Sequence, residues 1–216
     1  MAARAGGKTV PTIDDAVAAG VAIYNAGEHH AAHDAWEDEW LDLESGTDDE
    51  RFLHGLIQFT AAVYHSRRRN WSGARKLSRS AVDYLAGLGA DHRGVDLDSV
   101  RAYLRRLGAD PEYAERARPP TLRYRDRTLE PASLGLDALG VAADVIAEEY
   151  GFAEDVLAYA IDYAREEEGT ARSRFRSLVV DFVGEHGRRG LVYDRLESHV
   201  ERRRREETDV DGLFDE

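Results

Sequence analysis

Five of the eight histidines fall between His29 and His65, among carboxylates and two tryptophans, so any chemistry in the chain is expected there. At 100° per residue, His33, Trp36, Glu37 and Trp40 occupy i, i+3, i+4 and i+7 of one helix, the spacing of a stripe that faces a core. Two of the four are polar. An imidazole and a carboxyl one turn apart and half removed from water must find hydrogen bonds or change protonation, because a buried unpaired charge is costly. Asp34, Asp38 and Asp42 fall on another face and are expected to be solvated. On the next helix Phe52, Leu53, Leu56, Ile57, Phe59, Val63 and Tyr64 cover more than half the circumference, which predicts a central, largely buried element. His54, Gln58, Ala61 and His65 make the remaining stripe, and the small Gly55 and Ala62 beside it would let another helix approach closely. If that stripe faces the first one, His33, Glu37, His54, Gln58 and His65 form a single polar cluster.

Three chemistries suit such a cluster. As a metal site, His33, Glu37, His54 and His65 offer three imidazoles and a carboxylate, a set matched to zinc or iron(II). Their order fits no standard motif: His29 and His33 have the spacing of a zincin helix, but His30 stands where its glutamate belongs, and the E-x-x-H signature of di-iron bundles is missing. As an acid–base enzyme, His33 would be the general base oriented by Glu37, with His65 and Gln58 holding a small substrate. There is no Gly-rich phosphate loop and no G-x-S-x-G elbow to support a fuller catalytic assignment. A satisfied polar network needs neither ion nor substrate and is the favoured reading, in a small binding or assembly module with Trp40, His54 and Gln58 as ligand contacts. No cofactor is required by these residues.

The densest basic run is Arg67-Arg68-Arg69-Asn70-Trp71 continuing to Arg75, Lys76 and Arg79. With Asn70 opening a helix, Arg68, Asn70 and Arg75 could hold a phosphate and Trp71 could stack on a base. The plainer alternative is a solvated corner that neutralises nearby acids. Nucleic acid is weighed and not favoured as a partner, since counterion release weakens such binding steeply in salt. Arg202 to Arg205, set among Glu201, Glu206 and Glu207, read as i,i+4 pairs of a solvated helix end.

These groups sit in a chain of 216 residues with 42 acids against 29 bases and a formal charge of −13. Only Lys8 and Lys76 are lysine, and this acidic, Arg-dominated composition resembles that of salt-accumulating halophiles, the alternative being an ordinary acidic protein of a GC-rich genome. Zero cysteines exclude disulfides, thiolate nucleophiles and Cys-type zinc sites. No apolar run is long enough to span a bilayer, and the first residues lack the apolar core of a signal peptide, so no membrane partner is expected and the location is taken as cytoplasmic. Trp36, Trp40 and Trp71 with the apolar 52–64 helix could serve assembly, and a homodimer is expected mainly because symmetric dimers are the commonest oligomers.

Helix signals dominate, giving an all-α fold: a multihelical bundle over 12–118 and a smaller C-terminal helical unit over 132–207. Thr12 with Asp15, and Thr47 with Glu50, have the spacing of capping boxes, Gly27 interrupts the first helical run, and Asn70 and Asp96 or Asp98 open later helices. Asp110-Pro111 starts a short helix, Pro119-Pro120 breaks the pattern, and 121–129 alternates as a hairpin or extended link within a 119–131 connection. Helices are expected near 133–150, 152–168 (closed by Gly169), 170–186 (capped by Thr170) and 191–206. An acidic tail, 208–216, is expected to fray, with Leu213 and Phe214 able to dock.

The run GEHHAAHDAWEDEW (Gly27 to Trp40), followed by FLHGLIQFTAAVYHSRRRNWSGARKL (Phe52 to Leu77), resembles the domain-of-unknown-function family 309. Its A-H-E-x-L-E-x-x-W pattern falls on Ala32, His33, Asp34, Trp36, Glu37 and Trp40. Its F-L-Q-G-L-I-Q helix falls on Phe52, Leu53, Gly55, Leu56, Ile57, Gln58 and His65, and its G-N-x-x-G-A turn on Asn70, Gly73 and Ala74. The chain departs from the pattern at Asp34 (Glu in the family), Trp36 (Leu), His54 (Gln) and Arg69 (Gly). The resemblance covers about residues 20–88 and implies an all-α bundle with no established activity.

Overall fold

A computed structural model describes residues 11–168 and 173–212. Thr12 opens α1 (Ile13–Asn25) with both halves of a capping box closed: the Asp15 amide donates to the Thr12 hydroxyl at 3.3 Å and the Thr12 amide to the Asp15 carboxylate at 2.9 Å. Gly27, at φ +98°, turns the chain into α2 (His29–Leu41). Thr47 caps α3 (Asp48–Arg67) through the Glu50 amide at 3.2 Å, but the expected return bond does not form, because the Glu50 side chain is used elsewhere.

The sequence makes α3 central. Phe52, Leu53, Leu56, Phe59 and Val63 are wholly buried, with α2 on one side and α4 (Trp71–Leu85) on the other. Gly55 is where α4 comes close: a Cβ there would lie 2.5 Å from Leu85 Cδ2. Gly20 plays the same part between α1 and α2, since a Cβ would meet the Trp36 indole at 2.1 Å.

Beyond α4 a two-residue hairpin, β1 (Asp91–His92) and β2 (Val95–Asp96), precedes α5 (Leu97–Ala109) and α6 (Tyr113–Arg116). The hairpin expected within 121–129 forms as β3 (Arg123–Tyr124) and β4 (Arg127–Thr128), and it joins the first through Val95 opposite Tyr124 as an antiparallel meander in the order β1-β2-β3-β4. Both turns use two positive-φ residues, Arg93-Gly94 and Arg125-Asp126, the backbone that matches strand twist. Arg93 anchors this small sheet to the helices, giving Nε and Nη2 to Asp49 at 2.8 and 2.5 Å and Nη1 to Asp14 at 2.8 Å. Its pull, with help from His92, holds the Asp49 carboxyl down at about 2.

A 3-10 turn (Pro131–Ser133) leads to α7 (Leu136–Tyr150), α8 (Glu154–Glu166), α9 (Arg174–Gly184) and α10 (Arg189–Gly212). Ser173 caps α9 by accepting the Arg176 amide at 3.2 Å; Gly169 and Thr170, which the sequence reading put at this junction, lie outside the described residues. The last helix continues to Gly212 rather than fraying from 208, helped by the Tyr163 hydroxyl on Glu207 at 2.9 Å and by Arg203 bridging Glu166 and Glu207. Leu213 and Phe214 also lie outside the described residues. With ten α-helices among the described residues and only a small sheet, the fold is all-α and multihelical. Buried apolar side chains run continuously from Val17 to Val200, with α7 packed on α1 and α2. No helix among the described residues is long and apolar enough to cross a membrane.

Candidate functional site

Three side chains of α3 one turn apart, Glu50, His54 and Gln58, stand where α2 ends and α4 passes. Trp40, in the last turn of α2, donates its indole N–H to Glu50 Oε1 at 2.9 Å, and the Gly46 amide donates to Oε2 at 3.2 Å. These bonds, Trp40 first, together with the nearby His54 imidazole, hold the Glu50 carboxyl below its usual range against the opposing effect of burial, so it is ionised although its side chain is only 11% exposed. His54 lies between aromatic rings, its centroid 3.8 Å from that of Tyr84 in a stacked arrangement and 4.6 Å from that of Trp40. Its Nδ1 faces Glu50 at 3.5 Å, too long for a good hydrogen bond, and has no other partner, while Nε2 meets the Gln58 amide nitrogen at 3.4 Å. The contact with Gln58 is met when Nε2 accepts from its amide, whereas Nδ1 faces the Glu50 carboxylate without a good hydrogen bond. The assembly opens on a cleft of about 710 Å³ with Asp83, Ser80 and Arg51 at its margins. The Arg51 guanidinium is committed to the Ala86 carbonyl and lies 3.9 Å from Asp48.

Of the residues expected as ligand contacts, Trp40 and His54 line the cleft, while Gln58 touches His54 and is not among the lining residues. The larger cluster is not brought together. His33 lies further along α3, with Nδ1 3.3 Å from the Thr60 hydroxyl and Nε2 3.6 Å from Glu37, whose side chain is 44% exposed. His65 turns to the α3–α4 junction, where the Asn70 amide approaches its Nδ1 at 2.7 Å. Neither meets Gln58, and His54 and His65, eleven residues apart on one helix, are separated by about 16 Å along its axis. One ion therefore cannot take His33, Glu37, His54 and His65 together. The donor groups that do converge within 4.8 Å are His33/Asp34/Glu37 and His30/Asp34/Glu149, sharing Asp34 at the surface of α2 and α7.

The basic run forms the α3–α4 corner. Asn70 is occupied as the α4 cap, accepting the Gly73 amide at 3.1 Å, and Arg68 lies over the Tyr64 ring at 4.8 Å. Arg75 is exposed. Arg69, where the family pattern has glycine, adopts φ +57° and pairs with Glu115 at 3.0 Å, so the turn keeps its left-handed backbone without the residue that favours it. Gly73 is required for space: a Cβ would lie 2.8 Å from the Asn70 amide and 3.0 Å from His65 Nδ1.

A second carboxylate, the half-buried Glu28, joins the two helical parts. It accepts from Arg189 at 2.8 Å and from the Tyr150 hydroxyl at 2.8 Å, with His186 Nδ1 at 2.7 Å, and the Arg189 guanidinium lies 4.4 Å from the centre of the Tyr150 ring. Burial pushes the Glu28 carboxyl up, but the bonds from Arg189 and Tyr150 outweigh it and the net direction is down. Sequence reasoning missed both glutamates. Glu50 was legible only as a cap residue, although its i,i+4 relation to His54 and the need of the Trp40 N–H for an acceptor were signals; Glu28 had none.

Residues 17–77 match the model of the family described as Domain of unknown function (DUF309), from within α1 to within α4. The chain is also similar to an uncharacterized protein of Aquifex aeolicus (strain VF5), 28% identical over 108 residues that make up 50% of this chain and 31% of that protein. It is similar to the uncharacterized protein YpuF of Bacillus subtilis (strain 168), 29% identical over 76 residues, 35% of this chain and 41% of that protein. The chain therefore spans less than half the length of either relative.

Proposed function

We propose, from the premise that residues 17–77 carry a domain of family 309 and that this name assigns no activity, that the protein is a small-molecule binding module whose ligand is a small organic cation held in the Glu50 cleft. One observation carries the reading. Glu50 is a buried, ionised carboxylate whose hydrogen bonds come from neutral donors, the Trp40 indole and the Gly46 amide, and it borders an open cleft. Neutral donors stabilise a carboxylate without cancelling its charge, so the site favours an added cation. Asp83 puts a second acid at the margin, and Trp40 and Tyr84 supply rings against which an ammonium or guanidinium group can rest. Gln58 supports the imidazole between those rings.

The test is thermal melting of the whole chain with choline, putrescine and agmatine at constant ionic strength. At least one should raise the melting temperature saturably, and Glu50→Gln should abolish the rise while remaining folded. A ligand at 100 times its dissociation constant stabilises by about 2.7 kcal/mol, well within detection. No shift with any of the three, or an equal shift in Glu50→Gln, would reject the reading.

A further inference from the structure

A second pocket, about 290 Å³, lies where the end of α3 meets α5 and the segment after α6, away from the Glu50 cleft. Its chemistry is opposite. Arg67, Arg116 and Arg118 line it, and no carboxylate among the described residues lies within ion-pair distance of Arg67 or Arg118, in a chain with 42 acids against 29 bases. Arg116 is held by Asp110, and the acid of the pocket, Glu115, is taken by Arg69 at 3.0 Å. Tyr103 forms part of the wall and is only 6% exposed, yet its hydroxyl has no hydrogen-bond partner. The neighbouring Ser66 hydroxyl gives its hydrogen to the Val63 carbonyl at 2.7 Å; its oxygen can still accept and acts on the phenol, but no hydrogen bond of good geometry joins the two. Tyr103 and the exposed Arg67 and Arg118 line the same pocket. A buried hydroxyl without a partner is uncommon and costs stability, and beside two unneutralised guanidinium groups the missing partner is an acceptor with negative charge.

We infer that this pocket binds a small tetrahedral oxyanion of the phosphate class, with Arg67 and Arg118 supplying charge and the Tyr103 hydroxyl donating to a bound oxygen. The basic run noticed in the sequence contributes Arg67 to it, whereas Arg68, Asn70 and Arg75 are not among its lining residues. Binding does not depend on the Glu50 cleft, so the two proposals fail separately.

The experiment is calorimetric titration of the whole chain with inorganic phosphate in a phosphate-free buffer, ionic strength held with KCl. The expected result is one site with a dissociation constant on the order of 1 mM or tighter. Arg118→Gln should weaken it about tenfold, in keeping with the loss of one charge-assisted contact, and Arg75→Gln should leave it unchanged. Tyr103→Phe separates a ligand role from a structural one: it should melt no lower than the parent chain without phosphate and bind phosphate several-fold more weakly. A short single-stranded oligonucleotide distinguishes the source of the phosphate, and oligonucleotide binding with no response to inorganic phosphate overturns the inference. So does the absence of a saturable phosphate site, equal weakening by Arg75→Gln, or a Tyr103→Phe chain that melts lower and binds phosphate as before.

Discussion

The side chains of Glu28 and Glu50 are equally exposed, at 11% each, and both carboxyls are held below their ordinary range, but their surroundings differ in kind. Glu28 has its counter-ion inside the fold: Arg189, 161 residues away, reaches it with a guanidinium that also bonds the Phe182 and Val183 carbonyls. Glu50 has an indole, a backbone amide and an imidazole beyond good bonding distance. The first arrangement answers charge with charge and joins two parts of the molecule. The second supplies hydrogen bonds and leaves the charge facing a cleft. Two carboxylates whose side chains are equally exposed can thus be a joint in one place and a proposed binding site in the other, and the presence of a fixed cation makes the difference.

The comparison is broken most directly at Arg189. Replacing it with Ala strands Glu28 in the interior and should cost about 3–5 kcal/mol in denaturant unfolding, and adding Glu28→Gln should recover a good part of that loss. A cost near zero would mean that Glu28 finds water once Arg189 is gone. Acid titration is the next test. A carboxyl with a lowered folded value contributes stability that is fully present above its unfolded value, about 4.3, and is lost as the pH falls through the folded value. Glu28→Gln and Glu50→Gln should each flatten the fall in stability below pH 5 by up to about 1.4 kcal/mol per pH unit, and an unchanged slope would show a carboxyl that titrates alike in the folded and unfolded chains. The smallest effect expected is that of Glu50→Gln on the unliganded chain at pH 7, below about 1 kcal/mol, because the amide oxygen can still accept from Trp40 while the uncompensated charge disappears. A loss as large as that of Arg189→Ala would erase the distinction between the two regions.

Much of the fold was legible because it is written locally. Thr12 with Asp15, Thr47, Asn70 and Asp96 all cap helices as their spacing indicates, and the apolar circumference of 52–64 does mark the central helix. The hairpin of 121–129 was visible in its alternation, but its partner at 91–96 was not, since two-residue strands carry no periodicity. Half of the site was legible in the same way. Trp40, His54 and Gln58 meet, whereas His33 and His65, sharing helical stripes with them on paper, look toward Thr60 and Asn70. A helical wheel ranks faces by angle alone; which neighbour covers each face depends on crossing geometry and on where Gly55 and Gly20 allow contact.

Spacing and side-chain type alone therefore determined the helices, most of their caps, the central position of α3 and the stretch in which polar groups would gather. Tertiary structure decided that Glu50 leaves its capping role for Trp40, that Glu28 takes Arg189, and that Tyr103, without a hydrogen bond of good geometry, lines a pocket with Arg67. The reason is range: a helix is set by contacts three and four residues apart, while the balance of a buried charge is set by whatever the folded chain brings beside it.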